Sequence, residues 1–242
     1  MLLLRWSELP RSRGRHSGHS QRKPSRSKTP RLILTLERFG ELAGVEHGFG
    51  TRHDHIEQRG MASLRQIHSN RVLLAQGTGC AGEGDALITQ APGLALSIRT
   101  ADCFPILLAD LRVGAVAAIH AGWRGTVAGI APETVRRMGA EFGTDPSDLF
   151  AAIGPGIGVC CYEVGDEVAR RFGQPGKGKV DLAETNRAQL LECGVRAERI
   201  ESIGRCTVCE PEIFYSYRRQ GEKAGRMVSF IRCSHTPRAR TA

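Results

Sequence analysis

The sequence predicts an α+β fold, and three observations predict it. Residues 62–120 hold five apolar runs of strand length, each closed by Gly, Pro, Asp or Asn. Residues 126–142 carry Val127, Ile130, Val135, Met138 and Phe142 at helical spacing. Strands and helices then follow one another without the strict alternation that builds a doubly wound parallel sheet. The chain has 242 residues, which is long enough to bury a core of real size.

In chain order, residues 32–36 (LILTL) open the folded part as a short apolar run, and HGFGT at 47–51 has the glycines of a turn leaving a strand. Residues 52–60 are charged and polar, a loop. The five runs of the β-rich stretch are 73–75, 86–88, 94–98, 106–108 and 115–119. Pro132 inside the 126–142 pattern predicts a kink or a restarted helix. Residues 150–153 form a further strand that ends at Gly154. The segments 164–172 and 182–193 are helical, the second with Asp181 as its N-cap. Residues 200–203 and 227–231 are late strands, and QPGKGK at 174–179 is a loop.

The formal net charge is +9, from 34 Lys and Arg against 25 Asp and Glu. Residues 1–31 hold nine of the basic groups and one acid, and Arg238 and Arg240 lie in the last seven residues. The body, 32–235, is left with 23 basic and 24 acidic groups, a net −1. A neutral body gives no reason to expect nucleic-acid binding. No apolar run reaches the 18 or so residues of a membrane helix. The organisation expected is a disordered basic tail (1–31), one catalytic domain (32–235) and a basic C-terminal tail (236–242). The first tail has too little to bury to offset its ordering entropy. A transit peptide, a nucleic-acid arm and an over-extended start all fit its composition.

Eight cysteines are present. Without a signal peptide and at this length, a secreted disulfide framework is not expected, and the bland reading is buried inert thiols in a cytoplasmic protein. Cys206 and Cys209 form half of a zinc-site pattern with no second CxxC or HxxxH after it. A stronger constellation is His68, Cys103 and His120, each placed where a strand meets a turn. Two imidazoles and one thiolate suit zinc, and three protein ligands leave a fourth position open, as catalytic sites do. On residues alone the alternatives stand: His68 as a surface residue, Cys103 as a buried one, and a single copper for the same ligand types.

The wording around these residues resembles the YfiH family, also called the multicopper polyphenol oxidoreductase (laccase) or peptidoglycan editing factor family. The text that carries the resemblance is HGFGTR (47–52), LRQIHSNRV (64–72), DALIT (85–89), TADCFPILLAD (100–110), HAGWRGTVAGI (120–130), IGPGIGVCCYEVGDEV (153–168), DLAETNRAQLLECGV (181–195) and CTVCEPEIFYSYRRQGEKAGRM (206–227). It implies an α/β/β/α sandwich of mixed sheets. It implies His68, Cys103 and His120 as ligands of zinc in preference to copper, with Arg52, Asp85, Asp102, Arg124 and Cys160 near the metal.

The function implied is a zinc-dependent purine nucleoside enzyme. It would catalyse phosphorolysis of adenosine, inosine or methylthioadenosine and deamination of adenosine, taking a nucleoside and phosphate as small-molecule partners. A copper-dependent polyphenol oxidase and a peptidoglycan editing factor acting on muropeptide precursors are the alternatives.

The neighbours of the ligands fit chemistry and scaffolding equally. Arg124 suits a phosphate or a structural salt bridge. Asp102 suits the orientation of a ligand imidazole, proton acceptance, or the capping of turn amides. Cys160 and Cys161 suit strand-end packing. The sequence departs from the family in one place. Only 53–63 separates Arg52 from Leu64, where members usually carry a longer segment, so metal binding with weaker nucleoside turnover is expected.

Overall fold

The computed structural model describes residues 33–54 and 56–234; the two basic tails and the disorder expected for 1–31 lie outside the described residues. The strands are β1 (Val45–Phe49), β2 (Ala62–Arg65), β3 (Val72–Leu74), β4 (Gly79–Glu83), β5 (Ala86–Thr89), β6 (Leu96–Thr100), β7 (Phe104–Asp110), β8 (Ala115–Ala121), β9 (Phe150–Ile153), β10 (Glu163–Val164), β11 (Gly178–Lys179), β12 (Ile200–Ser202) and β13 (Met227–Cys233). The helices are α1 (Glu37–Gly40), α2 (Trp123–Val127), α3 (Ile130–Phe142), α4 (Asp166–Arg171), α5 (Leu182–Glu192) and α6 (Tyr217–Gln220). Two mixed sheets result, ordered β1-β13-β6-β2-β4 and β12-β9-β7-β8-β5-β3. The fold is α+β.

The central strands β7 and β8 are buried at every position. A half-exposed strand alternates apolar with polar, so a continuous apolar run predicts cover on both faces. Alternate residues enter two cores. Ile106, Leu108, Ala117 and Ile119 pack with Ile130, Val135 and Met138 of α3 and Leu182 and Leu190 of α5. Leu107, Ala109, Val116 and Ala118 pack with Leu96, Ile98, Met227 and Ile231 of the other sheet.

The break between α2 and α3 comes from Gly129, which adopts a left-handed φ of 73°. Pro132 is then the third residue of the restarted helix, where its missing N–H costs nothing because first-turn amides lack intrahelical partners. Asp181 accepts from the Glu184 N–H at 2.9 Å and caps α5 as expected. The helix anticipated over 164–172 begins at Asp166, because Val164 pairs with Gly178 of the 174–179 segment. The run 32–36 supplies one bridge, Leu34 with Phe49, ahead of α1. The connection after Arg52 leads from β1 to β2, and the Gln58 amide donates to Ser97 Oγ on β6 at 3.1 Å.

Candidate metal centre

Strand register places the first ligand candidates. In the β7–β8 pair His120 lies opposite Pro105 and Ala121 opposite Phe104, so Cys103, one residue before β7, reaches the same sheet end. On the other flank β5 pairs with β8 through Ala86 and Ile119, and the His120 N–H donates to the Asp85 carbonyl at 2.7 Å. His68 arrives on the turn after β2. Its φ is 60°, a left-handed conformation that a non-glycine residue adopts only when its surroundings hold it there.

Asp85 does that holding. Its side chain is fully buried. Oδ1 accepts from the His68 N–H (2.9 Å) and from His120 Nδ1 (2.8 Å); Oδ2 accepts from the Ser69 N–H (2.6 Å) and hydroxyl (2.7 Å). One carboxylate therefore fixes the turn that carries His68 and the ring of His120. With Nδ1 of His120 engaged, its Nε2 is the nitrogen left to face Cys103. The ligand atoms of His68, Cys103 and His120 all lie within 4.8 Å of one another. The two imidazoles meet edge to face with centroids 4.9 Å apart. Burial falls from His120 through Cys103 to an exposed His68, so the group opens to solvent on the His68 side.

The electrostatics suit a cation. Burial alone would raise the Cys103 thiol, but hydrogen bonds from His120 and His68 outweigh it and bring it down to about 6. Burial would likewise depress His120, yet Asp85 and Cys103 lift it to about 9. Asp85 is held down at about 2: burial opposes this, and the bonds from His120 and Ser69 prevail. Gly122 leaves the room required. A Cβ there would stand 2.8 Å from Cys103 Sγ and 3.3 Å from His68 Cδ2. Gly122→Ala should displace the thiolate, and a displacement of about 1 Å costs on the order of a hundredfold in rate. Metal affinity by chelator competition should fall with it while Tm barely moves.

The other anticipated residues divide. Asp85 touches both the His68 turn and His120. Asp102 also has a positive φ, 85°, but its carboxylate accepts from Thr207 Oγ1 and the Arg218 N–H, each at 2.6 Å. The carboxylate that orients an imidazole is Asp85, and Asp102 pins the turn that presents Cys103. Arg124 is exposed at the start of α2, its guanidinium over the Trp123 ring at 4.6 Å, with no carboxylate partner among the described residues. α2 itself is tied to α5 by Asn186 and Gln189, which donate to Thr126 Oγ1 (3.0 Å) and Thr126 O (2.9 Å). Arg52 binds the 211–215 segment through Pro211 O and the Tyr215 ring. Cys160 joins Cys161, Cys206 and Cys209 in a second group instead of the histidines.

Two residues near the trio were not anticipated, Tyr162 and Arg218. Burial pushes the Tyr162 phenol up to about 12, the Cys103 charge adds to it, and the Arg218 and Arg124 cations oppose it. Both residues lie in quoted motif text, but only the folded chain brings Tyr162 within reach of the Cys103 charge and lays Arg218 over the Tyr162 ring at 5.3 Å.

Residues 47–234 match the family described as multi-copper polyphenol oxidoreductase laccase. The chain belongs to that family. A purine nucleoside phosphorylase of Bacteroides thetaiotaomicron is 46% identical over 161 residues, 61% of this chain and 60% of the relative. A protein from an unknown prokaryotic organism, named adenosine deaminase, is 41% identical over 161 residues, 61% of each chain. The match thus spans about three-fifths of these relatives' length. The crystal structure of a Bacillus licheniformis YfiH protein superposes with a TM-score of 0.76 at 28% identity, covering 85% of this chain and 98% of that one. For a laccase-like family a metal at the histidine–cysteine trio is in keeping with its donor atoms and with the space Gly122 leaves. Among the described residues no helix is long and apolar enough to cross a membrane.

Proposed function

We propose that this chain is a zinc-dependent purine nucleoside enzyme, catalysing phosphorolysis of adenosine, inosine or methylthioadenosine and deamination of adenosine. The observation that carries the reading is the open trio of His68, Cys103 and His120 braced by one buried carboxylate, in a chain whose relatives are named for these two activities. Zinc is proposed over a multinuclear copper cluster because these three donors, among the described residues, form one mononuclear group with no further histidine in it, and two imidazoles with one thiolate and an open fourth position suit catalytic zinc. When bound, zinc supplies a Lewis acid that activates water near neutral pH and polarises an anionic or ring substituent.

The chain's own residues do the rest. Asp85 keeps the proton on Nδ1 of His120, which fixes that ring's tautomer. Arg124, without a carboxylate partner among the described residues and stacked on Trp123, offers a fork for phosphate. Tyr162, high in pKa and flanked by Arg218, stays protonated at neutral pH and can donate to the nucleoside or the phosphate. Asp102 and Arg52 hold the walls. The location proposed is the cytoplasm, a compartment that keeps thiols reduced and so available to a metal.

The test is incubation of zinc-loaded protein with adenosine, with and without phosphate. Adenine and ribose 1-phosphate should form in the first case and inosine in the second, and chelation should abolish both. Copper-dependent oxidation of a polyphenol, or hydrolysis of muropeptide precursors, without nucleoside turnover would overturn the reading.

A further inference from the structure

Four thiols that lie 40 or more residues apart in two pairs converge on one point. Cys209 Sγ is 3.4 Å from Cys161 Sγ and 3.5 Å from Cys160 Sγ, and the four sulfurs of Cys160, Cys161, Cys206 and Cys209 lie within 4.8 Å of one another. We propose that these four cysteines form a second, structural zinc site, separate from the histidine–cysteine trio. A tetrahedral zinc tetrathiolate with Zn–S of about 2.3 Å has sulfur–sulfur edges of about 3.8 Å, close to the spacings seen. A disulfide would bring two sulfurs to about 2.05 Å, well inside the 3.4 and 3.5 Å seen.

The backbone is arranged for thiolates. The Gly158 N–H donates to Cys206 Sγ at 3.3 Å, and the N–H groups of Val208 and Cys209 point to the same sulfur. Amides turned inward at a CxxC turn stabilise a charged sulfur and a metal bound to it. The carbonyls of the same turn point outward: Thr207 O and Val208 O each accept from Arg219 Nη1 at 3.0 Å. Arg219 therefore braces the turn from its outer side, and its second nitrogen ties the turn to Phe214 O at 2.8 Å. Arg205 Nε closes the turn on Glu210 at 2.9 Å. Gly158 permits the approach, since a Cβ there would come within 3.2 Å of both Cys160 Sγ and Cys206 Cβ.

The two loops so joined also clamp the turn before Cys103. The Ile157 N–H donates to the Asp102 carbonyl at 2.8 Å, and Thr207 Oγ1 donates to its carboxylate. Ile157 is three residues before Cys160, and Thr207 follows Cys206. An ion that locks 157–161 to 206–209 therefore braces the left-handed Asp102 that delivers the first site's thiolate. Exposure of Cys160 and Cys209 allows the metal to enter after the chain has folded.

The experiment is metal analysis of the full chain purified under reducing conditions, together with His120→Ala and with Cys206→Ser combined with Cys209→Ser. Two zinc ions per chain are expected for the unaltered protein and one for each variant. Cobalt substitution of His120→Ala should give the intense visible bands of a tetrathiolate site, and these should be missing from the double cysteine variant. Tm of the double variant should fall by about 5–10 °C. If that variant does not fold, the cobalt spectrum of His120→Ala still decides. One zinc in the unaltered chain that is lost in His120→Ala would overturn the proposal. So would iron in place of zinc, or a disulfide between any two of the four found by mass spectrometry after alkylation under native conditions.

Discussion

Replacing Cys103 with alanine should leave a folded chain that no longer keeps metal between His68 and His120. The thiolate is the anionic member of the trio and holds a central place, bonded by both imidazoles in the metal-free protein. Without it the site offers two neutral nitrogens, one on an exposed turn. The loss is of a charge and a ligand together, and the several kcal/mol that a catalytic metal supplies correspond to a fall of about a thousandfold or more in nucleoside turnover. The fold should survive. Cys103 belongs to neither core cluster, and β7 and β8 are held by residues such as Ile106, Leu107 and Ile119, each fully buried. Metal analysis, turnover and a thermal melt on one preparation check the three parts. A full complement of metal in Cys103→Ala would show that these are not the ligands.

How much of this was legible in the sequence follows from what each signal is made of. β7 and β8 were legible because both faces are buried, so their apolar character is continuous. α5 was legible because Asp181 caps it through a bond only three residues long. β4, Gly79–Glu83, was not, because an exposed edge strand has no hydrophobic pattern to read. Donor type and strand-end placement made His68, Cys103 and His120 candidates, and the family resemblance singled them out. The position of Asp85 beside two of them depends on strand pairing, β5 against β8, which no local pattern encodes. The four-cysteine group failed for the same reason. Read along the chain, Cys206 and Cys209 lack a partner pair downstream. Their partners lie upstream, at 160 and 161, and are reached through the bridge between Gly156 and Cys206. Asp102 shows the converse. It was picked out for standing next to a ligand, yet its left-handed backbone, φ 85°, turns its carboxylate to Thr207 and Arg218.

Asp85→Asn should weaken metal binding by about 10–100-fold, the range for loss of a carboxylate behind a ligand histidine, when measured above pH 9. Both carboxylate oxygens accept two bonds each from His120, His68 and Ser69. An amide makes one of them a donor. Facing Ser69, it opposes a backbone N–H; facing His120, it opposes the ring N–H and the His68 amide. Either orientation orphans a buried donor, which costs about 1–3 kcal/mol. The pH dependence should change as well. In the metal-free protein Cys103 titrates at about 6 and His120 at about 9. At pH 7 the thiol is already ionised, and the imidazolium must give up one proton for the metal. Affinity should therefore rise by about one decade per pH unit between 6 and 9, more steeply below 6, and level off above 9. Without the Asp85 charge, burial draws the His120 value down, so the plateau should begin at lower pH. The two affinity curves then lie furthest apart at high pH and approach each other as pH falls. Competition titrations against a chelator across pH 6 to 10 read both features. Identical plateaus and identical breaks in the two proteins would mean that Asp85 does not orient His120 for the metal.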